Sequence, residues 1–311
     1  MEINDNIQSY WTNICQIAYE GYKKELSFSH NMPLKSVGDF NKFMNESKDN
    51  INGLLYLEED ICTAFLLYNV WEDNGEYYCS VPEWGYGSIS SNREKSICHL
   101  FQTLADDVVT DRTVNFSVHL YAHDMEIQRL FSYMEFGIQA ETGICALGDI
   151  DNITTEGISE LKKEEIASRW NEIWSLLEQL IQHLKKSPIF YLGEEFTEEV
   201  YREFFADSGT RVFVAEEKGE MIGLIEANTD GIPLLFSGHQ AANVGEVYVL
   251  PQYRGKNVAQ ALLNYAKEEL SRDHYQYAWV EHGTANPNAR YFWNRYFATY
   301  KYEMIRKIIK N

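Results

Sequence analysis

Helix-length amphipathic stretches and strand-length apolar runs alternate along this chain, and they do so twice in the same order. That doubled order constrains the fold more than any other feature. In the first half, Ile7, Tyr10, Trp11, Ile14, Ile17 and Ala18 recur at three- and four-residue spacing and predict a helix over residues 5–25. Strands follow at 53–57 and 61–68, then a helix over 95–109, a strand over 114–121, a short helix over 126–133 and a strand past Phe136. The second half predicts helices over 170–184 and 197–205, strands over 211–216 and 221–226, and a strand over 245–250. After these come a helix over 258–270, a strand over 277–281, a helix over 288–296 and a strand over 302–309. GLLYLEEDICTAFLL in the first half answers RVFVAEEKGEMIGLIEA in the second, with few identities, so the order of elements carries the repeat. The expectation is a mixed α/β (α+β) chain of two similar domains, 1–150 and 151–311, divided in the polar segment GDIDNITTEGIS at 149–160. A single extended domain is the alternative.

Charge narrows the partners. Lys and Arg number 27 against 47 Asp and Glu, a net charge of −20, which repels nucleic acid and anionic membranes. The imbalance is uneven: residues 1–150 hold 9 basic and 23 acidic residues, net −14, and the remainder 18 and 24, net −6. The second half is the less hostile place for an anionic ligand. Five cysteines, Cys15, Cys62, Cys79, Cys98 and Cys145, form no C-x-x-C pair and are expected as free thiols. With the acidic, polar opening MEINDNIQSY and no apolar run of membrane-spanning length, a cytoplasmic protein is expected.

The most informative segment is GEVYVLPQYRGKNVAQALLNYAKEEL, residues 245–270. A β-branched and aromatic strand meets Pro251, and a basic turn containing Gly255 opens onto a helix whose Val258, Ala261, Leu262, Tyr265 and Ala266 share an apolar face. Backbone N–H groups at such a helix start lack intrahelical partners and carry partial positive charge, an anion site in waiting. Arg254 and Lys256 add formal charge. The segment has neither the Walker nor the dinucleotide-binding glycine pattern. An ordinary strand–turn–helix corner with a solvated basic turn is the structural alternative.

This segment resembles the acetyl-CoA loop of the GNAT superfamily of N-acetyltransferases, in which Gln or Arg is followed three residues later by Gly and two after that by Gly or Ala. Gln252 and Gly255 fit; Asn257 departs, and as a good N-cap residue it is expected to start the helix. The family's C-terminal signature is matched by Asn286, Ala289, Phe292 and Trp293, then Tyr296-Phe297. The resemblance implies a tandem of GNAT-like folds, the C-terminal copy better matched. It also implies acetyl-CoA held by Tyr248, Val249, Gln252, Arg254, Gly255, Lys256, Asn257, Val258, Ala259, Asn286, Ala289 and Trp293. In the family a tyrosine at the Trp293 position often protonates the departing thiolate, which tryptophan cannot do. In the first half the corresponding stretch, SVPEWGYGSISSNREKS, carries Gly85-Tyr86-Gly87 but no Gln or Arg three before a loop Gly, so this copy reads as degenerate.

The implied reaction is acetyl transfer from acetyl-CoA to an amine of a cationic small molecule or a peptide. Glu246, a carboxylate on an otherwise apolar strand, is the first candidate base, with a solvent-facing or ion-paired glutamate as the structural alternative. Glu281 and His282 are second candidates. For the acid, Tyr296 shares the helix face of Trp293, whereas Tyr291 points away. His119 and His123 share no helical face, and no metal is expected. A non-catalytic acyl-CoA-binding or sensing protein, and a tandem-GNAT transferase using aminoacyl-tRNA, are the competing functions; the net charge argues against the second.

Overall fold

The computed structural model describes all residues except 1, 35, 111, 149–155, 192, 194–195, 230–232, 237–238 and 310–311. The first part of the chain forms β1 (Glu2–Asn4), α1 (Trp11–Leu26), α2 (Val37–Ser47), β2 (Asn52–Glu58), β3 (Ile61–Asp73), β4 (Glu76–Val81), β5 (Tyr86–Ser88), α3 (Arg93–Val108), β6 (Val114–Tyr121), α4 (Met125–Tyr133) and β7 (Gly137–Ala146). Then come β8 (Ile158–Leu161), α5 (Lys163–Ser168), α6 (Trp170–Leu184), α7 (Glu198–Ala206), β9 (Thr210–Glu217), β10 (Glu220–Asn228), β11 (Ala241–Val249), α8 (Val258–Arg272), β12 (Tyr277–Gly283), α9 (Pro287–Tyr296) and β13 (Ala298–Ile308). The fold is mixed α/β. No helix among the described residues is long and apolar enough to cross a membrane.

Each element expected from periodicity is present, and the structure adds six: β1, α2, β4, β5, β8 and α5. Helix α2 is set by its cap, since the Ser36 hydroxyl accepts the Asp39 N–H at 3.2 Å, and it buries Phe40, Phe43 and Met44. Its short apolar stripe and Gly38 hide it from a periodicity reading. Strand β11 starts four residues before Gly245 because Ala241, Ala242 and Asn243 pair in parallel with β12.

Two compact units divide the chain: unit 1 is 1–142 with 299–311, and unit 2 is 143–298. Of the expected boundary segment 149–160, residues 149–155 lie outside the described residues. The last strand belongs to unit 1, where β13 runs antiparallel to β6 from Lys301 opposite Tyr121 to Ile308 opposite Val114. Periodicity announces a strand at 302–309 but carries no information about which sheet takes it.

Unit 1 orders its strands β1-β2-β3-β4-β6-β13, with β5 on β3 and only β4–β6 parallel. Its helices bury the faces read from sequence: Ile14, Ile17 and Ala18 on α1, and Ile97, Leu100, Phe101 and Leu104 on α3. Phe101 meets Phe116, Phe131 and Phe136 edge-on with centroids 5.4–5.5 Å apart.

Unit 2 orders its strands β12-β11-β10-β9-β8, with β11–β12 parallel and the rest antiparallel. Alternation sends side chains to two cores. Val212 and Val214 of β9 and Leu224 of β10 pack with Ile173, Leu177 and Phe205 of α6 and α7. Phe213, Ala215 and Ile225 pack with Leu262, Leu263 and Ala266 of α8.

Met304, fully buried in β13, tests the assignment of the last strand to unit 1. Met304→Ala is expected to cost about 2–5 kcal/mol. In chemical denaturation followed by hydrogen exchange, the loss of protection should appear in β6 and leave β9–β11 unchanged.

Candidate functional site

The site begins where two parallel strands part. Pairing between β11 and β12 covers Ala241–Asn243 opposite Tyr277–Trp279 and stops there. Beyond it β11 stays paired to β10 alone, through Val244, Val247, Tyr248 and Val249 opposite Ala227, Ile225, Leu224 and Gly223. Backbone groups of 244–249 on the β12 side are thereby left to other partners. A cavity of about 520 Å³ opens along this edge, lined by Val247, Tyr248 and Val249 on one side and by α8 and α9 on others.

After β11, Pro251–Tyr253 form a single 3₁₀ turn, Gly255 takes φ 76° and Asn257 takes φ 61° before α8 starts at Val258. Asn257 does not cap the helix as expected: it sits in the left-handed region and its side chain makes no cap hydrogen bond. Asn tolerates this conformation better than most side chains, which explains how it stands where the family pattern has Gly or Ala. The consequence is chemical. The N–H groups of Val258, Ala259 and Gln260, all lining the cavity, have neither an intrahelical acceptor nor a side-chain cap.

The basic residues behave differently from expectation. Arg254 lines the cavity, but its Nε donates to the Val249 carbonyl at 3.0 Å and its guanidinium lies 5.1 Å from the Tyr248 ring, so it ties the loop to the strand. The Lys256 ammonium lies 4.9 Å from the Tyr253 ring, and neither Lys256 nor the exposed Gln252 lines the cavity.

Helix α9 forms the far wall. Asn286 lines the cavity while its Oδ1 accepts the Ala289 N–H at 3.3 Å, capping α9. Ala289, Phe292, Trp293 and Tyr296 line the same space. Trp293 is rooted in the core against Phe297, their rings 5.5 Å apart. Tyr291 is largely exposed and lies outside the lining, so Tyr296 is the tyrosine this wall presents. Sequence reading missed several lining residues, among them His183 at the end of α6 and Arg295 on α9. These two sit on helices that periodicity found, but nothing in the pattern says where such a helix ends relative to a strand.

Glu246, next in sequence to Val247 but not itself in the lining, faces α7, where the Tyr201 hydroxyl donates to its Oε1 at 2.9 Å. Burial raises its carboxyl above the usual glutamate range, and the Tyr201 hydrogen bond opposes the rise. The Tyr201 hydroxyl is pushed up by its own burial and by the Glu246 charge. A second carboxyl, unremarked in the sequence reading, lies on β10: Glu226 is 2% exposed and is pushed up to about 8 by burial and then by Glu246. The signal that picked out Glu246, an acid in an apolar strand, is equally present in MIGLIEA. On β12, Glu281 is exposed and His282 buried, and neither lines the cavity.

In unit 1 the corner that leads into α3 is closed by its own side chains. Asn92 caps α3, accepting the Lys95 N–H at 3.0 Å, and Arg93 forks onto Asp124, with Nη1 to Oδ1 at 2.7 Å. The Tyr86 hydroxyl, from the Gly85-Tyr86-Gly87 stretch, donates to Asp124 at 3.1 Å. A cavity of about 290 Å³ remains there, but Glu20, Glu25, Asp124 and Glu126 line it. His123 bonds Glu25 at 2.8 Å and His119 lies 3.9 Å from Glu303, so the two histidines have separate partners.

The left-handed geometry at residue 257 makes a direct prediction for the loop. Asn257→Gly should leave thermal stability within a few tenths of a kcal/mol, whereas Asn257→Val should cost about 1–2 kcal/mol, because a β-branched side chain is strained at this φ.

Residues 176–298, all within unit 2, match the Acetyltransferase (GNAT) family. No curated protein matches the chain. Among solved structures, a GCN5-related N-acetyltransferase from Sphaerobacter thermophilus aligns with a TM-score of 0.59 at 11% identity, over 100% of this chain and 96% of that one. A GCN5-related glucosamine N-acetyltransferase region of a fungal multi-domain GH3 beta-N-acetylglucosaminidase aligns with a TM-score of 0.52 at 12% identity, over 99% of this chain and 38% of that one. At these identities the likeness establishes the fold. The parted parallel strands and the uncapped helix start both lie in unit 2, largely within the segment, residues 176–298, that matches the Acetyltransferase (GNAT) family.

Proposed function

We propose that unit 2 transfers an acetyl group from acetyl-CoA to an amine. The observation that carries this reading is the uncapped first turn of α8 opening into a cavity bounded by an unpaired strand edge. Such a turn offers three N–H groups and the positive end of the helix dipole to a pyrophosphate. Tyr248, Val249, Gly255, Asn257, Val258, Ala259, Asn286, Ala289 and Trp293 would then border the cofactor-like substrate, with Arg254 bracing the loop. Gln252 and Lys256 would act from the loop's outer surface.

In this reading the amine nitrogen attacks the thioester carbonyl carbon, the C–S bond breaks, and an amide and CoA result. Positioning supplies much of the rate, because the two reactants meet as neighbours. Glu246 takes the proton the amine must lose. Its Oε1 is occupied by Tyr201, and its Oε2 takes no hydrogen bond from the described residues, leaving it the accepting atom. Tyr296 returns a proton to the thiolate, a task Trp293 cannot perform. The raised affinity of Glu246 for a proton suits a base working near neutrality.

The acceptor is proposed as a cationic small-molecule amine or a peptide amine, supported by the −20 net charge. All five cysteines are free thiols, which supports a cytoplasmic setting. The two units are proposed as tandem copies of one fold, supported by their shared order of helices and strands, with unit 1 the copy whose corner is filled by Arg93 and Asp124.

Calorimetric titration with acetyl-CoA is expected to show one site per chain. Gly255→Glu should abolish it by placing a carboxylate at a strained, φ-positive position beside the phosphates; two sites, or equal binding by the variant, would overturn the assignment. In a screen of amine acceptors, Glu246→Gln is expected to lower kcat/KM by about 100-fold or more and Tyr296→Phe by at least about tenfold. Binding with no turnover across the panel would instead support a sensing protein.

A further inference from the structure

Glu226 has no part in the reaction just described, yet it is built into the same strands. Its carboxyl is buried, its Oε1 accepts the Glu246 N–H at 3.3 Å, and its Oε2 is buried without a hydrogen-bond partner. The register of β10 against β11 shifts between Ile225 and Ala227, so the sheet bulges at this glutamate. Gly245 leaves room for it, because a Cβ at that position would meet Glu226 Oε1 and the carboxyl would have to shift. The groups around it are Glu246 on β11, Tyr201 on α7 with Tyr191 beyond, and the neutral Asn243; opposite it on β9 stands Val212.

An ionised carboxylate in this place would have one backbone N–H, one bare oxygen and a like charge on the next strand. Burying two anions side by side without a cation is strongly unfavourable, so one of the pair keeps its proton. Glu226 is the more enclosed and has the poorer hydrogen bonding, whereas Glu246 receives the Tyr201 hydroxyl, a donor that favours the charged form.

We propose that Glu226 and Glu246 form a carboxyl pair with a single negative charge, Glu226 holding the proton and Glu246 the charge, so that Glu226 is a positioning residue that keeps Glu246 competent to accept a proton. This rests on Glu246 being the base. While Glu226 is neutral, Glu246 is ionised and meets no second anion. When Glu226 loses its proton in alkaline solution, a second charge appears beside Glu246 and tightens its hold on any proton it takes.

The pair also couples to folding. Because the proton affinity of Glu226 is higher in the folded state than in the unfolded chain, its contribution to stability is full in acid and is lost as pH rises through about 8.

Carboxyl-carbon NMR of the full chain labelled at glutamate, titrated from acid to alkaline pH, tests the proposal. The parent should show a glutamate titrating near pH 8, absent in Glu226→Gln and moved to lower pH in Glu246→Gln, where the neighbouring charge is gone. If Glu226→Gln fails to fold, the Glu246→Gln shift decides alone. No glutamate titrating above pH 7 in the parent, or a midpoint unmoved by Glu246→Gln, would overturn the pair. The base reading fails separately: Glu246→Gln would then move the titration as expected yet leave acetyl transfer to the amine panel undiminished.

Discussion

An asparagine that declines to cap a helix is the feature on which the candidate site depends. Asn257 spends its conformational tolerance on a left-handed φ of 61°, which turns the chain from the Pro251–Tyr253 turn into α8. Its side chain is then not directed at the first-turn amides. At the start of α3 the same residue type does the reverse: Asn92 caps, and Arg93 and Asp124 fill the space in front. One amino acid in two backbone conformations thus separates a helix start open to an anion from one already satisfied by its own chain. Net charge follows the same division, since the acidic cavity of unit 1 lies in the more negative half.

The strands contribute the second half of the site through what they fail to do. Three parallel pairs join β11 to β12, and the break after Asn243 leaves an edge that hydrogen-bonding demands be used. The bulge at Glu226 lies just past this break, where Gly245 makes room for a buried carboxyl. Backbone irregularity, unsatisfied polar atoms and raised proton affinity coincide within a few residues, as they do where a fold spends stability on chemistry.

Much of this was legible in the sequence. Periodicity gave α6 to the residue, because Trp170, Ile173, Leu177 and Leu180 repeat with helical spacing, and the Pro251–Gly255 punctuation located the loop. The resemblance to the family's C-terminal signature pointed to Trp293, and strand and helix faces then put forward Glu246 and Tyr296 as candidates. Three things were hidden. The role of Asn257 depended on a dihedral angle that residue identity only permits. Glu226 carried the same signal as Glu246 but gains meaning only from a cross-strand register. The final strand gave no sign that it pairs with β6, since the partner lies nearly two hundred residues away.

Amide hydrogen exchange with and without acetyl-CoA tests the central claim most directly, because it reads the very N–H groups in question. Slowed exchange at residues 255–260 and along 247–249, with residues 92–96 unchanged, is the result predicted by an uncapped α8 set against a capped α3. Unchanged exchange at 255–260, or protection appearing at 92–96 instead, would contradict it.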